Sequence, residues 1–137
     1  MTITFDKSSI ALISSFSSIT KAKVKDVVEE KDLLIFVVEP GQLFKAIGKK
    51  GSNVKLLSQK LKKRIKVVEF NPDLKVFIRN MVYPLNVKEI TQNEKIITLE
   101  GEDVKTKGLL IGRNAQNLRL LEKVVKRYFD IDEIKVI

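Results

Sequence analysis

A phrase that occurs twice limits what this chain can fold into more than any other feature. Ile47-Gly48-Lys49-Lys50-Gly51-Ser52-Asn53-Val54 returns as Ile111-Gly112-Arg113-Asn114-Ala115-Gln116-Asn117-Leu118, with the leading glycines 64 positions apart. Each copy has an apolar residue, glycine, two polar residues led by a base, a small residue and then an asparagine. Self-similarity at such a period marks a duplicated unit. The likeness spreads outward from the turns. Val24-Lys25-Asp26-Val27 aligns with Val87-Lys88-Glu89-Ile90 at a shift of 63, and Leu33-Leu34-Ile35-Phe36 follows on Ile96-Ile97-Thr98-Leu99 without a gap. Beyond the turns, Ile65-Lys66-Val67-Val68 falls on Ile134-Lys135-Val136-Ile137 at a shift of 69. The halves, 1–71 and 72–137, are therefore diverged copies. One residue enters before the second turn, and the helix and loop that follow it are expected to be longer.

Each copy reads α-β-β-α-α-β. In the first, a helix is expected over Asp6–Phe16, capped by Thr4, with Phe5, Leu12 and Phe16 on one face. A strand near Lys21–Val28 and a polar turn lead to Leu33–Val38, whose near-continuous apolar run suits a central strand. Pro40-Gly41 stops it. A short helix Gln42–Ile47, the glycine turn, a helix Ser52–Leu61 and a strand Arg64–Phe70 complete the unit. Asn71 and Pro72 then read as cap and first residue of a helix, with Leu74, Phe77, Ile78, Met81 and Val82 at helical spacing. The second copy repeats the order: Leu85–Thr91, Lys95–Leu99, a helix near Lys105–Ile111, the turn, Gln116–Phe129 and Ile134–Ile137. The linker of about three residues is too short for independent tumbling, so a rigid tandem is expected.

Charge points to a polyanionic partner. The net charge is +9, and between Lys45 and Lys66 there are nine bases and no acid. Copy one carries +7 of that charge and copy two +2, so the first should supply more of the attraction. A glycine-flanked basic turn between helices admits a phosphodiester backbone closely, because no Cβ stands in the way. Two such turns suggest one strand gripped at two places.

Several function classes fall away. With no His and no Cys, imidazole acid-base chemistry and thiol nucleophiles are absent, as are disulfides and thiolate metal sites. A phosphate-binding P-loop fails on spacing, since Gly41 to Gly48 is too long a gap and Lys49 is followed by Lys50. The acidic cluster Asp130, Asp132 and Glu133 reads as a turn rather than a metal site. No enzyme, no cofactor and no metal are expected. No run of about 20 apolar residues offers a membrane span, and Met1–Asp6 lacks a signal-peptide pattern; a cytoplasmic location is the expectation. Tyr83, Tyr128 and Phe129 are read as core residues rather than stacking platforms.

Strand, helix, G-x-x-G, helix, strand is the KH pattern, whose turn clamps backbone nucleotides of single strands. The extra helix and strand before that core resemble the type II arrangement, giving an α+β fold of two three-stranded units. Ala46 to Leu57, Asn71-Pro72, Phe77-Ile78-Arg79-Asn80 and Gly112 to Asn117 resemble the tandem KH region of NusA transcription factors. The similarity is to archaeal NusA-like proteins in particular, and it covers essentially the whole chain. The resemblance implies RNA binding coupled to transcription elongation or termination. RNA polymerase or other transcription factors are the expected protein partners, and a monomer is expected. The residues alone imply a two-site single-strand binder, leaving open a ribosome-associated or assembly role and single-stranded DNA. The candidate RNA-binding residues are Lys45, Ile47, Gly48, Lys49, Lys50, Gly51, Ser52, Asn53 and Lys55 in the first copy. In the second they are Gly112, Arg113, Asn114, Ala115, Gln116, Asn117 and Arg119. Ala115 stands where the pattern has glycine; a positive φ there is disfavoured for alanine, and its methyl would crowd a phosphate. The second turn is accordingly expected to be the weaker.

Overall fold

The structure, a computed structural model, describes residues 6–137. The chain divides between Asn71 and Pro72 into two compact units. The first contains α1 (Lys7–Thr20), β1 (Val24–Glu29), β2 (Leu33–Val38), α2 (Leu43–Ile47), α3 (Ser52–Leu61) and β3 (Arg64–Glu69). The second contains α4 (Leu74–Val82), β4 (Val87–Asn93), β5 (Ile96–Gly101), α5 (Val104–Ile111), α6 (Gln116–Val125) and β6 (Glu133–Val136). Each unit is thus α-β-β-α-α-β around a three-stranded sheet, the mixed α+β class that the sequence implied.

In both sheets the middle strand pairs antiparallel with its predecessor and parallel with the last strand. Parallel neighbours need a crossover, and the two helices that flank the glycine turn supply it. The turn therefore lies within the crossover, between its two helices. The correspondence between copies extends to an irregularity: the first antiparallel pair is bulged between Val24 and Asp26, and its counterpart between Val87 and Glu89.

The first core gathers Phe16, Val27, Leu34, Phe36, Val38, Ala46 and Leu57. Phe16 stacks on Phe36 with ring centroids 4.3 Å apart. Ile35 and Val37 are buried as well, which accounts for the uninterrupted apolar run of β2: both of its faces are shielded. In the second unit Phe77, Ile78 and Met81 of α4 are buried. Phe77 meets Tyr128 edge to face at 5.5 Å and Phe129 at 5.9 Å.

Several local expectations are corrected. Asp6 caps α1, its carboxylate accepting from the Ser9 N–H at 2.8 Å, and the helix runs on to Thr20 rather than stopping at Phe16. Thr4 and Phe5 lie outside the described residues. Asp73, not Asn71, caps α4, because its carboxylate accepts from both Lys75 and Val76 N–H groups. Pro72 consequently precedes the cap instead of opening the helix. The helices after the two turns are equal, ten residues each. The additional length of copy two beyond the turn lies in 126–132, a loop whose Tyr128 and Phe129 reach back onto Phe77. Tyr83, expected in the core, is 76% exposed, since α4 ends at Val82 and turns its buried face through Phe77, Ile78 and Met81.

Candidate nucleic-acid interface

The two glycine turns share one backbone. Gly48 and Gly112 have φ/ψ of 79/169° and 75/173°, Lys50 and Asn114 have 55/29° and 54/32°, and Gly51 and Ala115 have 74/19° and 59/23°. A tight hydrogen bond closes each turn, Gly51 N–H to Gly48 carbonyl at 3.1 Å and Ala115 N–H to Gly112 carbonyl at 3.2 Å.

The asparagines are what set this geometry. The Asn53 side-chain amide donates to the Lys45 carbonyl at 3.1 Å, and that of Asn117 to the Leu109 carbonyl at 2.8 Å. Each bond ties the first turn of one helix to the last turn of the other. The asparagine fits only because the leading glycine lacks a side chain. A Cβ on Gly48 would lie 2.8 Å from the Asn53 side chain, and one on Gly112 2.7 Å from that of Asn117. Gly48 and Asn53, like Gly112 and Asn117, are therefore one mechanical unit. Sequence reasoning placed these asparagines against RNA; the structure shows that at least one end of each amide is spent on the protein. The signal was present in the sequence as a G-x-x-x-x-N spacing shared by both copies.

At the last turn position the copies differ. A Cβ on Gly51 would meet nothing within 4 Å, so the space is open and only the left-handed φ resists substitution. Ala115 occupies that conformation with φ 59°. The turn survives the missing glycine, at a cost of about 1–2 kcal/mol for an L-residue held there. Copy two offsets part of this by placing asparagine, tolerant of that region, at 114 where copy one has lysine. Restoring glycine at 115 is accordingly expected to stabilise the second unit by about 0.5–1 kcal/mol, the left-handed penalty less glycine's greater freedom when unfolded. Denaturant titration of Ala115→Gly against the native protein checks this; equal or lower stability would contradict it.

Electrostatically, Lys45, Lys49, Lys50, Ser52 and Lys55 are exposed in copy one, and Arg113, Asn114, Gln116, Asn117 and Arg119 in copy two. Ile47 and the turn glycines are half-buried. Helices α3 and α6 begin at Gly51 and Ala115 with no side-chain cap, so the positive ends of their dipoles face the same ground as the bases. Other bases are less available. Lys63 is drawn to Glu29 at 3.5 Å and to the Glu30 carbonyl at 3.1 Å. Burial holds the Lys66 amine below its ordinary pKa. Arg119 lies 3.7 Å from Glu122, whose other oxygen accepts from the Ile134 N–H at 2.9 Å. The Asp130 carboxylate pairs with Lys95 at 3.0 Å, in keeping with a turn. Among the described residues, no group of three or more His, Cys, Asp or Glu is placed to hold a metal, and no helix is long and apolar enough to cross a membrane.

One exposed side chain escaped the sequence reading. Phe44, in α2 one helical turn before Gly48, is 89% exposed. Periodicity assigns it to a five-residue helix too short for a reliable stripe.

A family model of the NusA-like second KH domain matches residues 12–73. A probable transcription termination protein NusA of Thermoplasma acidophilum is 30% identical, over 98% of this chain and 95% of that protein. Its counterpart in Halobacterium salinarum is 31% identical over 99% of both. The crystal structure of APE1850 superposes with a TM-score of 0.80 over 97% of this chain and 100% of the other, at 24% identity, a likeness of fold.

Proposed function

This chain belongs to the archaeal NusA-like family, and on that premise we propose that it is a single-stranded RNA-binding protein acting in transcription elongation or termination, holding nascent RNA at its two glycine turns. The observation that carries this reading is the repeated turn itself. Each copy sets an exposed base, Lys49 or Arg113, beside the uncapped N-terminus of a ten-residue helix. Backbone N–H groups at such a terminus take phosphate readily, and the adjoining bases add charge attraction. The relatives' description as probable transcription termination proteins supports the transcriptional setting, with RNA polymerase or another transcription factor as protein partner. The first turn dominates affinity, since it carries Lys49 and Lys50 within an unbroken basic stretch. The second adds reach through Arg113 and Asn114.

Linked sites gain from effective concentration. An RNA of about 10 nucleotides should therefore bind at least ~10-fold more tightly than one of about 5. Arg113→Asp should remove most of that advantage while barely changing the affinity of the short RNA. Fluorescence titrations of both lengths, with DNA of the same sequence alongside, check this. Affinity independent of length would end the two-site reading, and equal affinity for DNA would remove the preference for RNA. Co-purification with ribosomal subunits at high salt, without RNA polymerase, would favour an assembly role.

A further inference from the structure

We propose that Phe44 is a stacking platform for a nucleobase, extending the first glycine turn so that its ring holds a base while the adjacent lysines hold neighbouring phosphates. The proposal rests on the RNA-binding reading of that turn. Among the described residues Phe44 is the most exposed large apolar side chain, at 89%. Packing does not ask for it: α2 is anchored on the sheet through buried Ala46, with Leu43 and Ile47 half-buried. A phenyl ring left in water forgoes its transfer energy. Val104 is as exposed, at 88%, so it is the setting of Phe44 beside the basic turn, not its exposure alone, that points to an occupant.

Its setting selects the kind of occupant. The Gly48 N–H donates to the Phe44 carbonyl at 2.9 Å, which puts the two positions one helical turn apart on a single face. Gly48 itself adds no side chain there. Lys45, Lys49 and Lys50, within six positions of it in sequence, are exposed. No acid occurs between Glu39 and Glu69, and the Glu69 carboxylate is engaged by the Gly41 N–H at 3.0 Å. An isolated ring among cations is a poor centre for a protein interface, where charge is depleted and apolar area is contiguous. It suits a single strand, whose phosphates need cations and whose every base has a π-face. At the matching position copy two has Gly108, so the platform belongs to the first turn alone. That gives the two turns different work: copy one grips base and backbone, copy two backbone only.

The test uses the whole protein and an RNA of about 10 nucleotides carrying 2-aminopurine at successive positions. Native protein, Phe44→Ala, Phe44→Trp and the Lys49→Asp/Lys50→Asp pair are titrated at several salt concentrations. Phe44→Ala should weaken binding ~10-fold, as loss of one stacked base does. The dependence of log affinity on log salt should stay the same, because no phosphate contact is lost. Phe44→Trp should bind as the native protein does, and quenching at one probe position should vanish in Phe44→Ala. Since the ring is exposed, all variants should keep the native circular dichroism. If Phe44→Ala binds normally while the lysine pair fails, stacking is overturned and the turn stands. If neither variant affects binding, or native protein binds no RNA, the RNA reading falls and the platform with it. A changed salt slope in Phe44→Ala, or loss of RNA polymerase capture with RNA affinity intact, would also overturn it.

Discussion

Reversing both turn charges of copy one, Lys49→Asp with Lys50→Asp, is expected to weaken RNA binding on the order of 100-fold at about 0.1 M salt while leaving the fold intact. Both side chains are exposed, so no cavity opens. Lys50 sits at φ 55°, a region that aspartate tolerates better than lysine, and the backbone should accept the change without strain. Two lost phosphate contacts should lower the slope of log affinity against log salt by about 1.4, roughly 0.7 for each. Affinity measured across a salt series, with circular dichroism on the same samples, decides the matter. Native-like binding by a folded variant would remove this turn from the interface.

The largest effect on stability is expected from a single methyl group. At φ 79° and ψ 169° Gly48 occupies backbone space that is essentially closed to other residues, at a cost of about 1–3 kcal/mol. Its new Cβ would also strike the Asn53 side chain, 2.8 Å away. Asn53 would have to swing out and give up its bond to the Lys45 carbonyl, worth about 1 kcal/mol. Gly48→Ala should therefore destabilise the first unit by about 2–4 kcal/mol, a large share of what a domain of this size possesses. Gly51→Ala should cost only about 1 kcal/mol, since its Cβ would stand in open space and only the left-handed φ is at stake. Denaturant unfolding of the two variants gives the comparison. Equal costs would mean that the asparagine tie does not hold the turn.

What the sequence determined by itself was whatever depends on local pattern. The duplication, the order of elements and the class of fold followed from a repeated phrase and from alternating apolar residues between glycine and proline stops. Helix Ser52–Leu61 and strand Leu33–Val38 were legible to the residue, because Gly51 opens the one, Pro40-Gly41 closes off the other, and each carries a clear apolar signature. The turns themselves were legible as candidate sites because their residues are contiguous.

Tertiary structure decided the rest, for reasons that no short window contains. Which of several neighbouring polar residues caps a helix depends on where the backbone aims its first N–H groups, and Asp6 and Asp73 prevailed over Thr4 and Asn71 on that ground. The extra length of copy two lies in a loop rather than a helix because Tyr128 and Phe129 find Phe77, some 50 residues earlier in the chain. Asn53 and Asn117 proved to be ties within the turns, a role that becomes visible only when the end of one helix meets the start of the next. Phe44 and Tyr83 are apolar residues that the fold leaves outside. An apolar side chain has no face of its own; neighbours brought together by the chain's folding settle whether it is covered.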